Sequence, residues 1–421
     1  MSRDKTTSVR TGRQIVVGLD IGSSKISVVI GTLDPERELP DIVGVGTADS
    51  VDGINAGRVL NVSRAADAIR EAVEAAEKLA GIDVKRVSVG IAGRSVESMQ
   101  GNGQITISKA GDREITDHDV ARVIEQSSAI QLPPDKEILD VIPNAYMLDG
   151  TPIGDPCGCT GVRLEAKVQL VLVSPQDRDN LVKAVERAGL DVDGVYLGTL
   201  ASAEAVLSEE EKRTGVALVD LGACSTNIAV FVDGTLRYAH SIPFGGKTVT
   251  HDLAAGLHAN DDSVETIKCM HGACRVSAVE DGTIKVPGIG NREAREVKRS
   301  EIASYIEPRV REIFADVRRE LDDNRFHDAL VAGVVLVGGG SALRGVKDVA
   351  AQILGLPVVV GTVQMSGEGL SNVASRPIFT ESIGLVHLAA KAARQGNRGG
   401  AAKQAGAGFF GALLGFLRRI F

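Results

Sequence analysis

Two stretches of the chain repeat the same order of apolar and polar positions. Residues 15–30 read IVVGLDIGSSKISVVI and residues 216–231 read VALVDLGACSTNIAVF. Each begins with an apolar, β-branched run, reaches Asp-x-Gly and continues into a second apolar run, which predicts two buried strands joined by a tight turn. Asp20 aligns with Asp220 and Gly22 with Gly222. Two copies of one hairpin far apart in a chain indicate a duplicated domain.

The turns of these hairpins are candidate phosphate sites. A glycine lets the backbone approach a ligand, and the small residues after it leave N–H groups free to point at an anion. Two such turns facing each other would clamp a nucleotide, and Asp20 and Asp220 would orient a hydrated Mg²⁺. A single Asp-x-Gly string is more often an ordinary turn, so the prediction depends on the pair. The residues predicted to hold phosphate are Gly22, Ser23, Ser24, Lys25, Gly222, Ala223, Cys224, Ser225 and Thr226.

A third segment, residues 334–343, is an apolar strand that runs into three glycines and then a predicted helix. Bare backbone at this point lets a flat base or ribose lie against the chain, with a helix N-terminus nearby. A plain strand-to-helix connection explains the same pattern. The residues predicted to lie beside adenosine are Gly338, Gly339, Gly340 and Ser341.

In this order, the three segments resemble the first phosphate, second phosphate and adenosine motifs of the actin, Hsp70 and sugar-kinase ATPase superfamily. The resemblance implies an α/β fold of the duplicated, actin-like (ribonuclease-H-like) kind, with two lobes around a cleft that binds ATP and Mg²⁺. It also implies a nucleotide role for Gly245 and Gly246, which precede a predicted helix. A helix start capped by Thr248 or Thr250 is the alternative.

Residues 197–207 are small and apolar and resemble the superfamily's first connecting helix, the hinge between the lobes. Glu204 lies about where actins keep a polar residue that orients the attacking water, so the resemblance implies a catalytic role. A solvent-facing glutamate on a helix is the alternative. We therefore expect ATP binding with at most weak ATPase activity.

Residues 87–166 differ from the rest of the first half of the chain. Alternation at 104–108 predicts an exposed strand, and prolines at 133, 134, 143, 152 and 156 predict loops. The pattern predicts a small β-rich domain inserted into the first lobe. The segments 142–150, 152–154 and 161–166 are similar to the relocated small domain of FtsA, the actin-like family of bacterial cell division.

The composition of the chain indicates its cellular compartment and argues against one class of partner. A chain of 421 residues holds two or three domains, and its net charge of −8 argues against nucleic acid as a partner. Five cysteines and no apolar core in residues 1–11 predict a reducing cytosol without a secretory leader. No apolar stretch reaches about 20 residues, so no membrane span is expected.

A basic run, Arg295, Lys298 and Arg299, opens a long predicted helix near residue 300. A solvated face is the usual meaning of such charges. The resemblance to FtsA implies that these residues bind the acidic C-terminal peptide of FtsZ, or that Arg299 contacts the nucleotide.

The last segment predicts a membrane-surface helix. Residues 394–408 are rich in Gly, Ala and Gln and should form a flexible linker, and residues 409–421 should form an amphipathic helix. Arginine beside the apolar arc suits anionic lipid, and the helix is too short to span a bilayer. A terminal helix docked on its own body is the alternative. The residues predicted to meet the membrane are Phe409, Phe410, Leu413, Leu414, Phe416, Leu417, Arg418, Arg419, Ile420 and Phe421.

Taken together, the resemblance implies an actin-like cell-division protein that polymerises on the cytoplasmic face of the membrane, anchors FtsZ filaments at the division site and recruits later divisome proteins. Alternatives are a type IV pilus ATP-binding adaptor and a sugar-kinase-type phosphotransferase. The predicted division is a disordered N-terminus 1–12; a first subdomain 13–86 with 167–198; an inserted domain 87–166; a second core subdomain 199–250 with 325–393; a fourth subdomain 251–324; a linker 394–408; and a membrane helix 409–421.

Overall fold

The computed structural model describes residues 14–50, 53–107, 113–290, 292–365, 370 and 374–398. The predicted N-terminal segment 1–12 and the predicted membrane helix 409–421 lie outside the described residues. Of the predicted linker, residues 394–398 are described, and they belong to the last helix, Thr380–Arg398. No helix within the described residues is long and apolar enough to cross a bilayer.

The strands follow the apolar runs of the sequence. They are β1 (Ile15–Ile21), β2 (Lys25–Thr32), β3 (Asp41–Asp49), β4 (Ile54–Asn55), β5 (Arg58–Val59), β6 (Arg86–Ile91), β7 (Glu97–Thr106), β8 (Glu137–Leu148), β9 (Thr151–Ile153), β10 (Arg163–Val173), β11 (Asp191–Leu197), β12 (Val216–Leu221), β13 (Thr226–Val232), β14 (Thr235–Ile242), β15 (Thr283–Val286), β16 (Arg295–Lys298), β17 (Gly333–Val337) and β18 (Val358–Val360).

The helices alternate with these strands and cover the sheets. They are α1 (Val62–Ala80), α2 (Asp117–Ser128), α3 (Pro175–Arg187), α4 (Gly198–Val206), α5 (Glu209–Thr214), α6 (Gly246–Leu257), α7 (Asp261–His271), α8 (Arg299–Asp323), α9 (Val346–Leu354) and α10 (Thr380–Arg398).

Two five-stranded sheets repeat one topology. The first has the order β3-β2-β1-β6-β11 and the second has the order β14-β13-β12-β17-β18. In both sheets the first three strands are antiparallel and the last three are parallel. The predicted duplicated α/β fold is confirmed by this repeat.

The inserted domain is a separate small layer. Its sheet has the order β7-β10-β8-β9, and α2 covers it over an apolar core that includes Ile124, Leu164 and Leu170. Strand β10 pairs with both β7 and β8 along its length, to Val173. Its side chains alternate between cores: Leu170 and Leu172 pack in the inserted domain, whereas Val171 and Val173 pack in the first lobe. The strand therefore joins the two bodies.

The last helix, α10, crosses between the lobes but packs mainly on the first one. Ile383 and Val386 belong to a core cluster that includes buried residues of both sheets, and Val386 reaches β2, where a Cβ at Gly31 would lie 2.7 Å from its Cγ1. Two glycines allow the close approach. A Cβ at Gly384 would lie 1.7 Å from the carbonyl oxygen of Ala201 in α4, and one at Gly18 in β1 would lie 2.1 Å from the carbonyl oxygen of Ser382. This crossing brings the start of α10 beneath the first hairpin.

Candidate functional site

A cavity of about 1020 Å³ lies between the two lobes, where both hairpin turns contribute to its wall. Its volume is typical of a pocket for a cofactor-sized ligand. The predicted nucleotide residues that line it are Asp20, Gly22, Ser23, Ser24, Lys25, Asp220, Gly222, Ala223, Cys224, Ser225, Gly246, Gly338, Gly339 and Gly340.

Three further residues that were predicted to bind nucleotide do not line the cavity but contact the segments that form its wall. Thr226 is buried and donates from Oγ1 to the carbonyl of Phe244 at 2.8 Å. Ser341 donates from Oγ to the carbonyl of Gly338 at 2.7 Å, which holds the glycine turn. Gly245 lies against the second hairpin turn, where a Cβ would be 2.6 Å from the carbonyl oxygen of Gly222.

The two hairpins hold their carboxylates in the same way. Asp20 pairs with Ser27 across β1 and β2, and the Ser27 hydroxyl donates to Asp20 Oδ2 at 3.5 Å. Asp220 pairs with Asn227 across β12 and β13, and the Asn227 amide donates to Asp220 Oδ2 at 3.5 Å. One polar neighbour at the same register position in each copy therefore orients each carboxylate.

The surroundings of both carboxylates disfavour negative charge. The pKa of Asp20 is raised to about 7, first by burial and second by the nearby Asp220 carboxylate, against the hydrogen bond from Ser27. Burial likewise raises the pKa of Asp220 to about 6, against the hydrogen bond from Asn227. Within the described part of the chain, neither carboxylate has a cationic partner within ion-pair distance.

These features fit a magnesium nucleotide. A cation between two like charges would relieve their repulsion, and Lys25, which lines the same cavity, suits phosphate oxygens. Lys268 also lines the cavity, but its ammonium group is bound to Glu265 at 2.7 Å. No group of three or more His, Cys, Asp or Glu side chains among the described residues is placed to ligate a metal directly. The carboxylates would therefore hold a hydrated ion through water, as Mg²⁺ prefers.

The glycines of the third segment make room for the second carboxylate. Gly338 follows β17 with φ of 80°, a conformation that favours glycine, and a Cβ there would lie 2.1 Å from Asp220 Oδ1. Gly339 begins a short 3₁₀ turn, Gly339–Ala342, and has open space where its side chain would be. The backbone at Gly339 is therefore bare toward the cavity.

One lysine connects the two hairpin turns across the cleft. The backbone N–H of Lys247 donates to the carbonyl of Ala223 at 2.7 Å, which ties α6 to the second turn. Its Nζ donates to the carbonyl of Ser23 in the first turn at 3.1 Å. Sequence reasoning missed this residue, although it lies next to the predicted Gly245–Gly246 pair.

The structure corrects the predicted role of Glu204. Its carboxylate pairs with Lys391 of α10 at 2.5 Å and lies 3.6 Å from Lys212 Nζ, and it is not part of the cavity wall. The α4 residue that reaches the cavity is Ser202. Because α4 packs against α10, the side of α4 that carries Glu204 is closed off from the cleft by that helix.

The predicted basic run also lies outside the cavity. Arg295 and Lys298 are exposed, and Arg295 donates from Nη2 to the carbonyl of Leu257 at 3.2 Å. Arg299 is half-buried and pairs loosely with Glu280 at 3.6 Å. None of the three lines the cleft. The placement separates the basic run from the nucleotide cavity and disagrees with a nucleotide contact for Arg299.

The cavity holds one buried carboxyl group that sequence reasoning did not select. Glu381 lies in the first turn of α10, is 9% exposed and lines the cavity floor. Its pKa is raised well above the usual range by burial first and by the Asp20 and Asp220 charges second. Its only sequence signal is an acidic residue at the start of a predicted helix, which is common.

Comparison with known proteins identifies the chain's relatives. Residues 217–384 match the family model of Cell division protein FtsA, and residues 93–172 match the model of the SHS2 domain inserted in FTSA. The chain is 38% identical over 381 residues to the cell division protein FtsA of Pseudomonas aeruginosa, covering 90% of each chain. It is 34% identical over 383 residues to that of Bacillus subtilis, covering 90% of this chain and 84% of the relative.

Solved structures of lower identity share the fold. A type IV pilus biogenesis complex, PilM–PilN, superposes with a TM-score of 0.63 at 18% identity over 89% of this chain and 98% of the other. MreB5 of Spiroplasma citri, bound to ADP, superposes with a TM-score of 0.55 at 11% identity over 92% of this chain and 99% of the other. At these identities the likeness establishes the actin-like fold alone.

Proposed function

The chain belongs to the FtsA family of cell-division proteins, and from this premise we propose that it binds Mg·ATP in its cleft, assembles on the membrane and tethers FtsZ filaments at the division site. The observation that carries the nucleotide part is the pair of matching hairpins whose carboxylates, Asp20 and Asp220, line one cavity. Among the described residues, no cationic side chain lies within ion-pair distance of either carboxylate.

In this proposal, the carboxylates, the two turns and Gly339 each bind a different part of the magnesium nucleotide. Asp20 and Asp220 orient the water shell of the cation, whose charge offsets that of the phosphates. The backbone N–H groups of the two turns hold phosphate oxygens from opposite sides, and the bare backbone at Gly339 leaves room for the adenosine. A nucleotide that touches both lobes favours the closed arrangement, and a filament would select that arrangement for stacking.

Turnover is expected to be weak. Glu204 is paired on the far side of α4, so it is not available to orient an attacking water. A titration of the full chain with a fluorescent ATP analogue tests the binding. We expect saturable, Mg²⁺-dependent binding that Asp20→Asn with Asp220→Asn weakens at least tenfold, because both cation-orienting charges are lost. Binding that ignores Mg²⁺ would refute the proposal.

We assign membrane attachment to residues 409–421, from their sequence. If each of the eight large apolar side chains gained about 1 kcal/mol on partial burial, one helix would attach with roughly micromolar to millimolar affinity before ordering costs. A single copy is then a reversible anchor, and a filament would hold firmly through many copies. Co-sedimentation with anionic liposomes should lose the protein when residues 409–421 are deleted. Equal sedimentation by both proteins would exclude the anchor.

The exposed basic run is the proposed site for the acidic C-terminal peptide of FtsZ. Arg295 and Lys298 are exposed beside the start of α8, outside the cleft cavity, and Arg295 also lies 3.7 Å from the Glu301 carboxylate. Arg295→Glu with Lys298→Glu should weaken the peptide at least tenfold in fluorescence anisotropy at low salt, because two attractions become repulsions. Unchanged affinity would clear these residues of the role. Recruitment of later divisome proteins is part of the proposal, without an assigned surface.

A further inference from the structure

We propose that Glu381 is a third carboxylate of the cation site, holding the cation's water shell together with Asp20 and Asp220. The inference rests on the proposed function, because it adds a residue to the same cleft. It assigns a binding role to a side chain that lies far from both hairpins in sequence.

The start of α10 is tied directly to the first carboxylate. The hydroxyls of Ser382 and Ser27 are hydrogen-bonded at 3.0 Å, and Ser27 also donates to Asp20 at 3.5 Å. The backbone of Ser382 lies against Gly18, two residues before Asp20 on the same face of β1. Glu381, the residue before Ser382, therefore enters the cleft beside Asp20.

Two glycines leave the space that the Glu381 carboxylate occupies. A Cβ at Gly90, at the end of β6, would lie 1.9 Å from Glu381 Oε1, and a Cβ at Gly198, at the start of α4, would lie 2.4 Å from the same atom. Any side chain at either position would expel the carboxylate. Backbone from two elements thus holds this group at the cavity floor.

The carboxylate has no protein partner there. Among the described residues, Glu381 makes no side-chain hydrogen bond and no ion pair, although a carboxylate in the first turn of a helix commonly accepts bonds from free N–H groups. Burying an unpaired carboxylate is costly, and two further carboxylates nearby increase the cost. Burial is the largest cause of the raised pKa of all three groups, and repulsion between carboxylates adds to it for Asp20 and Glu381. A divalent cation in the cavity would relieve all three at once.

Water between the ion and the carboxylates agrees with the usual behaviour of Mg²⁺. The three side chains do not form a set that could ligate a metal directly, and Mg²⁺ keeps several waters in most protein sites. Glu381 would then accept hydrogen bonds from the water shell of the ion. The class of ligand is a hydrated divalent cation bound with the nucleotide.

The test measures Mn²⁺ binding by electron paramagnetic resonance, and thermal melting in EDTA, on the full chain. Glu381→Gln keeps the shape and removes the charge. We expect its Mn²⁺ affinity, measured with bound ATP analogue, to fall about tenfold to hundredfold. Its melting temperature in EDTA should rise, because the repulsion within the cluster decreases. A residue with only a packing role would not produce this opposite pair of changes.

Glu204→Gln is the matched control, because it makes the same change on the neighbouring α4, outside the cavity. It should leave the Mn²⁺ affinity unchanged. Glu381→Asp keeps the charge but withdraws it by one methylene, so it should lower the Mn²⁺ affinity without raising the melting temperature. This variant replaces Glu381→Gln in the test if Glu381→Gln does not fold.

The outcomes separate the two proposals. Wild-type protein that binds neither the ATP analogue nor Mn²⁺ would overturn the nucleotide function and this inference together. Wild-type protein that binds both, with Glu381→Gln binding Mn²⁺ equally well, would overturn only the role of Glu381. A fall in melting temperature with unchanged Mn²⁺ affinity would also overturn it, in favour of packing.

Discussion

Replacing Gly338 with alanine should disable the cation site while leaving most of the fold intact. Val337 pairs with Asp220 across β17 and β12, so Gly338 lies directly beside that carboxylate. An alanine Cβ would lie 2.1 Å from Asp220 Oδ1, whereas ordinary contacts begin near 3.4 Å. The carboxylate oxygen must therefore move by about 1.3 Å, which is enough to take it out of the water shell of a bound ion.

Two separate effects contribute to the expected loss. The left-handed backbone at Gly338, with φ of 80°, costs an alanine about 1–2 kcal/mol of stability. Displacement of a group that orients the ion's water costs about tenfold to hundredfold in affinity for the magnesium nucleotide. Only the second effect depends on the clash with Asp220.

Gly81 offers a matched control for the first effect. It ends α1 with φ of 67° and has no atom within 4 Å of where its Cβ would be. Gly81→Ala should lose stability through its left-handed backbone alone, less than Gly338→Ala, whose Cβ would also lie 2.8 Å from the carbonyl oxygen of Leu221. It should keep its affinity in an ATP-analogue titration with Mg²⁺. If both alanine variants lost nucleotide affinity equally, backbone strain would explain the loss and the placement of Asp220 beside Gly338 would be refuted.

The stability of the nucleotide-free protein should depend on pH, and one lysine should set the rate of nucleotide release. In EDTA the folded state should lose stability as pH rises from about 4 to 7, because folded Asp20, with a pKa of about 7, retains a proton that the unfolded chain, with a pKa of 3.8, has released. Asp20→Asn should recover at most about 4 kcal/mol of this loss. In urea unfolding between pH 5 and pH 8, the unfolding free energy of the variant should therefore depend less on pH than that of the wild type. The same pH dependence in both proteins would contradict the burial of that charge. Lys247→Met removes the bond to the Ser23 carbonyl across the cleft, so stopped-flow release of an ATP analogue should be about 2- to 10-fold faster, and an unchanged rate would show that the contact does not hold the cleft closed.

The two hairpin turns were predictable because their geometry is local. An apolar strand, an aspartate and a glycine turn are adjacent in sequence, so their geometry follows from neighbouring residues and from the antiparallel register of one hairpin. The repeat of that hairpin predicted the duplicated sheet as well. Lys247 was missed because its partner, Ser23, lies in the other lobe and no local pattern records that contact.

Glu204 and Glu381 show what the sequence alone does not determine about the site. Glu204 was selected because a helix of small residues resembled a hinge, yet nothing local to 197–207 says which of its sides faces the cleft. The packing of α10 determines the positions of both glutamates. Lys391 of α10 pairs with Glu204 outside the cavity, and the contact of α10 with Gly18 places Glu381 inside the cavity. The hairpins, their turns and the apolar tail follow from short-range pattern, since each depends on residues close together in the chain. Which buried charges share one cavity depends on how distant elements cross, and that only the tertiary structure decides.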